Sequence, residues 1–144
     1  MRYFKFKKVV LPSPEDTTLG IVTSEGESTY FYDEIDGFQY VGVATTDENF
    51  LNKQHSACLV EELTFEEIAP ILKSCQMYKD INNIVTAKIR QRYSVDDEIK
   101  LNRIANSVAK TQTPQEFWDY NTYVEECKAY GDSLKIQAGL KQQA

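Results

Sequence analysis

The chain has 144 residues, 16 Lys and Arg against 22 Asp and Glu, and a formal net charge of −6, with 42% hydrophobic and 26% charged residues. A chain of this length buries roughly two thirds of the surface its unfolded form exposes, enough for a core without disulfide or metal staples. The composition excludes collagen, low complexity and wholesale disorder, and the net acidity argues against a purely electrostatic nucleic-acid binder, which needs a concentrated Lys and Arg face.

Charge and residue type both change at about residue 62. Residues 1–62 hold five basic residues (Arg2, Lys5, Lys7, Lys8, Lys53) and eleven acidic ones, whereas 63–144 hold eleven of each. The first stretch is rich in β-branched and aromatic residues separated by turn formers; the second has helical periodicity and few breakers. Two regions are therefore expected, a β-rich 1–62 and a helical 63–144.

From Tyr3 to Leu11 the pattern begins as an alternating strand, which ends at Pro12 and Pro14 because proline cannot continue a ladder. Leu19 to Thr23 and Ser28 to Tyr32 flank turn formers at Ser24, Glu25, Gly26 and Glu27, predicting a hairpin. Asp36 and Gly37 mark a further turn before a strand from Phe38 to Val43. Thr45 lies three residues before Glu48, the spacing of a capping box, and predicts a short helix from Asp47 to Gln54. A strand from Ala57 to Glu62 completes a small mixed or antiparallel sheet of four or five strands.

The helical region opens at Thr64 and Glu67, a second capping box, with Ile68, Ile71 and Leu72 on one face and Pro70 limiting the length. Apolar residues recur at Met77, Ile81, Ile84, Val85, Ile89 and Tyr93, the pattern of an amphipathic helix. Ser94 caps the next helix, with Asp96, Asp97 and Glu98 where the helix dipole favours negative charge; Leu101, Ile104, Ala105 and Val108 form its stripe. Thr113, Pro114 and Glu116 start a long helix that places Phe117, Tyr120, Val124 and Cys127 on one side, with Gly131 as its end or bend. Beyond Leu140 the tail is expected to be loose. The fold class is α+β, an N-terminal sheet followed by three or four helices.

Few residues offer chemistry. Cys58, Cys75 and Cys127 are odd in number and widely spaced, which excludes a paired disulfide framework and CxxC zinc spacing and favours buried thiols. His55 is the single histidine, so any nucleophilic triad must use it; a helix-end histidine is the simpler reading. The carboxylate clusters, among them Asp33, Glu34 and Asp36, lack the ligand spacing of a calcium loop and suit helix starts and wet faces. No phosphate-cradle or hydrolase motif occurs. No catalytic, cofactor-binding or metal-binding residue is assigned, and an enzyme is not expected. Lys88 and Arg92 share a helix face and are read as solvated.

The aromatic residues stand out. Phe117, Trp118, Tyr120, Tyr123 and Tyr130 occupy more than one side of the last helix, beyond what one buried stripe needs. Trp and Tyr suit interfaces because they bury large area at small entropic cost. These five are the candidate partner-binding residues, and a sheet edge near residues 1–11 is a second docking candidate.

Residues Lys88 to Arg103 and Phe117 to Lys128 share a pattern: a helix ending in Arg92, Tyr93 and Ser94, an acidic helix start at Asp97 and Glu98, then an aromatic helix through Phe117, Tyr120, Tyr123, Val124 and Glu125. This pattern resembles the C-terminal helical part of small accessory proteins encoded in the tail modules of tailed bacteriophages and prophages. The resemblance implies a non-enzymatic virion or assembly role, in a tail, baseplate or fibre attachment, with other virion or assembly proteins or further copies of the chain as partners. It brings no catalytic residues. The implied location is the virion or host cytoplasm, since no apolar run approaches the roughly 20 residues that span a bilayer and no signal-peptide cleavage site is evident. The alternative is a small acidic inhibitor of a host nucleic-acid enzyme, with the carboxylates of residues 25–36 mimicking phosphate.

Overall fold

The computed structural model describes residues 1–11, 17–107 and 114–143. Pro12, Pro14, Val108 and Thr113, to which the sequence assigns a strand stop, a stripe position and a cap, lie outside the described residues. The fold is α+β: among the described residues, six strands are followed by four helices. Among the described residues no helix is long and apolar enough to cross a membrane. Contacts divide the chain into two compact units, Met1–Lys79 with Ala138–Ala144, and Asp80–Gln137. The change from strands to helices falls between Leu63 and Phe65, inside the first unit.

In the first unit, β1 (Arg2–Lys7), β4 (Thr29–Ile35), β5 (Phe38–Val43) and β6 (Glu61–Leu63) form an antiparallel sheet in the order β4-β5-β1-β6. Side chains alternate across a strand, so Phe4 and Phe6 lie on one face, where they cluster with Val41, Val43 and Phe50 while Ile21 and Val60 pack alongside. Each such ring taken from water is worth about 1.5–3 kcal/mol. The β4–β5 turn is the Asp36 and Gly37 pair, both at positive φ (53° and 81°), the backbone that a tight two-residue hairpin requires.

Several expected strands are rearranged. The stretch from Tyr3 to Leu11 is divided at Lys8: β2 (Val9–Leu11) leaves the main sheet and pairs with β3 (Thr17–Leu19) in a two-stranded ribbon. The hairpin expected around Ser24 to Glu27 does not form, although the turn does, with the Glu27 N–H donating to the Ser24 carbonyl. The reason is local. The Gln54 side-chain amide donates to the Val22 carbonyl and accepts from the Val22 N–H, both at 2.8 Å, and so takes the main-chain groups that a partner strand would use. The helix expected from Asp47 to Gln54 is reduced to a 3-10 turn at Leu51–Lys53. Upstream of it the Thr45 hydroxyl accepts from the Asp47 N–H and the Asp47 carboxylate from the Asn49 N–H, side-chain turns that compete with helix. Ala57 belongs to a 3-10 turn at Ser56–Cys58, and Leu59 at φ 50° breaks the extended chain, so the last strand is only β6.

β1 is also not an edge. It pairs with β5 on one side and β6 on the other, so of the edge expected near residues 1–11 Arg2–Lys7 is withdrawn, while Val9–Leu11 pairs only with β3. The outer strands are guarded. β4 carries a bulge between Phe31 and Asp33, and the Asp33 carboxylate accepts from the Glu34 N–H; β6 is three residues long, with Glu62 and Glu61 paired to Arg2 and Lys5. Short, bulged and charged strands resist pairing with other chains.

On the opposite face of β1 the sheet closes over the returning C-terminus. The Tyr3 hydroxyl donates to the Gly139 carbonyl at 2.6 Å and the Tyr32 hydroxyl to the Ala138 carbonyl at 2.7 Å. Burial pushes both phenols above their ordinary ionisation, Tyr32 the further. A Cβ on Gly42 or Gly139 would collide with the Tyr32 hydroxyl, so both positions need glycine. Leu140 is buried and Lys141 to Gln143 are exposed. Helix α1 (Phe65–Ser74) begins at the expected capping box, with the Thr64 hydroxyl and Glu67 carboxylate each accepting the other residue's N–H. It runs through Pro70 to Ser74 without stopping there, and it buries Ile68 and Leu72.

The second unit holds most of α2 (Gln76–Arg90), then α3 (Val95–Ser107) and α4 (Gln115–Gln137). Helix α3 starts with a reciprocal cap: the Asp97 N–H donates to the Ser94 hydroxyl and the Ser94 N–H to the Asp97 carboxylate, both at 3.0 Å. Of the amphipathic α2 stripe, Ile81 is buried whereas Ile84 is 46% exposed. Gly131 neither ends nor interrupts α4. It is buried, and a Cβ there would collide with Val85, so the glycine lets the Val85 side chain of α2 pack directly on the α4 backbone.

Candidate functional site

The five aromatic candidates of α4 divide into three roles. Tyr120 points inward and is buried, its ring edge-on to Tyr93 at 5.0 Å. Its hydroxyl bonds to Glu98, which Arg90 holds at 3.0 Å; that guanidinium keeps the Glu98 carboxyl below the usual carboxylate range, and burial together with the carboxylate raises the Tyr120 phenol. Phe117 and Tyr123 are half-buried supports. The Phe117 ring contacts both Trp118 at 5.3 Å and Tyr120 at 6.3 Å, and the Tyr123 hydroxyl donates to the Lys88 carbonyl at 2.8 Å. Trp118 and Tyr130 are the outward pair, 41% and 46% exposed. Twelve positions at about 100° each place them about 120° apart around the helix, so they do not form one stripe.

Two basic residues read as solvated instead meet these rings. The shared helix face does not form, because α2 ends at Arg90 and Arg92 lies in the turn after it; Lys88 Nζ is 5.2 Å from the Tyr130 ring, and the Arg92 guanidinium, itself exposed, is 5.0 Å from Tyr123 and 5.4 Å from Tyr93. Cation–π contacts at such sites contribute about 0.5–1 kcal/mol each. Nothing local in the sequence aligns residues 88–92 with 123–130, because their meeting depends on how the chain after α2 packs against α4.

Next to this cluster lies an open cleft of about 340 Å³, which sequence reasoning missed. Tyr93, Leu101 and Ile104 form its apolar part; Arg92, Lys100, Asp97, Glu116 and Asp119 supply charge of both signs. Asp97 is committed to the Ser94 cap, which lowers its carboxyl, and Asp119 accepts from the Gln115 amide. Among the described residues its lining contains no Ser, Cys or His.

No protein-family model, curated protein or solved structure matches the chain.

The residues considered for chemistry are placed elsewhere. His55 caps the Ser56–Cys58 turn, with its Nδ1 accepting the Ala57 N–H at 3.1 Å. Cys58, Cys75 and Cys127 are free and buried. Among the described residues no group of His, Cys, Asp and Glu is placed to hold a metal ion. Of the acidic stretch 25–36, Glu27 is held by Ser24 and Thr45, which lower its carboxyl, and Asp33 by the Glu34 N–H; Glu34 and Asp36 face solvent.

Proposed function

We propose that the protein is a non-enzymatic docking component of a phage or prophage particle, acting in the tail or in its assembly through the helical unit Asp80–Gln137. The observation that carries this reading is the outward placement of Trp118 and Tyr130 on a helix whose other aromatic residues already supply the core. A ring held at its base by Phe117 or Lys88 and open at its tip is the arrangement of an interface anchor. The resemblance to tail-module proteins rests on residues 88–103 and 117–128, which fall in the same unit and include Lys88, Arg92, Trp118 and Tyr123 of this cluster. With His55 and the three thiols taken up in caps and packing, catalysis is not the role these residues support best.

The test is sedimentation of particles from cells that express the chain, followed by detection of the protein. The wild type is expected with finished particles or their precursors. Trp118→Ser combined with Tyr130→Ser is expected to lose that association while remaining folded. A wild-type chain absent from both, or a variant that associates as well as the wild type, would overturn the proposal. The phosphate-mimic alternative predicts the opposite pattern: sensitivity to Glu34→Gln and Asp36→Asn and indifference to Trp118.

A further inference from the structure

The docking reading concerns the helical unit, and the first unit holds a separate feature that it does not use. That unit joins Met1–Lys79 to Ala138–Ala144, a segment the chain reaches only after completing the second unit. We infer that the sheet face at Tyr3 and Tyr32 is a peptide-receiving site, filled within one chain by its own Ala138, Gly139 and Leu140 and open to the same segment of a second copy. This goes beyond the docking reading and does not depend on it.

The Tyr3 and Tyr32 hydroxyls donate to two consecutive carbonyls of the segment, those of Gly139 and Ala138. Ala138 and Leu140 are buried on either side of the glycine, and Lys141 to Gln143 are exposed. Gly139 has φ 76°, and a Cβ there would meet the Tyr32 hydroxyl at 2.6 Å and the Met1 side chain at 2.8 Å, so this middle position admits glycine alone. Among the described residues no strand pairs with the segment, so side chains hold it and its departure breaks no ladder. The pattern received is a small residue, a glycine and a large apolar residue, with two main-chain carbonyls bound by phenols.

A second copy carries this pattern by construction. Because the segment ends the chain, it can leave one site and enter another without any strand changing its order. Exchange between two copies then replaces each lost contact with an identical one. Concentration decides the balance: a tethered segment outcompetes a free one in dilute solution, and mass action favours the exchanged form as copies become more concentrated.

In the full chain, Gly139→Ala expels the tail and empties the site. This chain is titrated with a dye-labelled peptide of the sequence of residues 137–143, following anisotropy and the melting midpoint. Saturable binding and a raised midpoint are expected, with binding to the wild type, whose site is already filled, at least about tenfold weaker. Affinity should fall at least about tenfold when the peptide itself carries Gly139→Ala or Leu140→Ser, and about fivefold when Tyr32→Phe is added to the emptied chain. If the Gly139→Ala chain does not fold alone, recovery of its sheet circular dichroism on adding peptide reads the same binding, and no recovery counts against the site. For the second copy, the wild type is refolded from denaturant over a range of chain concentrations and its mass measured by light scattering. A dimer fraction is expected that grows with concentration, is suppressed by excess peptide and is absent from Gly139→Ala. An emptied chain that ignores the peptide, equal binding of the peptide carrying Gly139→Ala, or a wild type that stays monomeric at every concentration would each overturn the inference. None of these results involves Trp118 or Tyr130, so this inference and the docking reading fail separately.

Discussion

The two compact units differ in the balance of enclosed and open aromatic residues. In the first, Phe4, Phe50, Tyr3 and Tyr32 are at most 5% exposed, with the tyrosine hydroxyls consumed by the carbonyls of Ala138 and Gly139, and Phe31 on the outer strand β4 is open at 50%. In the second, Tyr120 is enclosed, but Trp118 and Tyr130 keep over 40% of their surface. Rings that are already satisfied hold a fold together. Rings supported on one side and open on the other have binding energy left to offer, and it is this contrast, more than aromatic content, that separates scaffold from candidate interface.

The contrast breaks most severely if a scaffold ring is removed. Phe4→Ala is expected to cost about 3–5 kcal/mol through lost burial and an unfilled cavity, seen as a collapse of sheet circular dichroism in denaturant. Next comes Gly131→Ala, where the new methyl must displace Val85; overpacking of about 1–3 kcal/mol outweighs the helix-propensity gain of about 1 kcal/mol. Adding Val85→Ala should recover most of the loss, and a double-mutant cycle on thermal unfolding measures that coupling. A smaller effect is expected from Ser94→Ala, about 1 kcal/mol for the lost cap of α3, visible as faster hydrogen exchange at Asp97.

Alkaline pH sharpens the comparison further. Because burial raises the Tyr3 and Tyr32 phenols above the ordinary 10.0, the unfolded chain releases these protons first. Stability is therefore complete below that pH and declines as pH rises above it. Tyr32→Phe should start from a lower stability and show a shallower alkaline decline, measured by urea midpoints across the range. An unchanged slope would mean that the Tyr32 phenol is not enclosed.

The features legible in the sequence are those fixed by neighbours along the chain. Thr64 with Glu67 and Ser94 with Asp97 are side-chain-to-backbone exchanges completed within four residues, and the Asp36 and Gly37 turn placed β5 at Phe38–Val43 for the same reason. What escaped was set at a distance. Gln54 occupies Val22 from 32 residues away, β2 leaves the sheet that β1 joins, and Lys88 and Arg92 find rings on another helix. Residue type marked the five aromatic candidates, but their division into buried, supporting and exposed members depends on helix packing that no local pattern carries. The cleft beside them was invisible because it is made from two helices, α3 and α4, and the turn at Arg92 and Tyr93.

The most direct measurement pairs thermal unfolding with particle association for the chain carrying Trp118→Ser and Tyr130→Ser. Exposed rings that lose one cation–π contact and one edge contact should alter stability by about 1 kcal/mol, so the expected result is a midpoint close to the wild type's together with lost association. A midpoint lowered as far as by Phe4→Ala would make these rings part of the scaffold, and association that survives at full strength would remove the interface from α4.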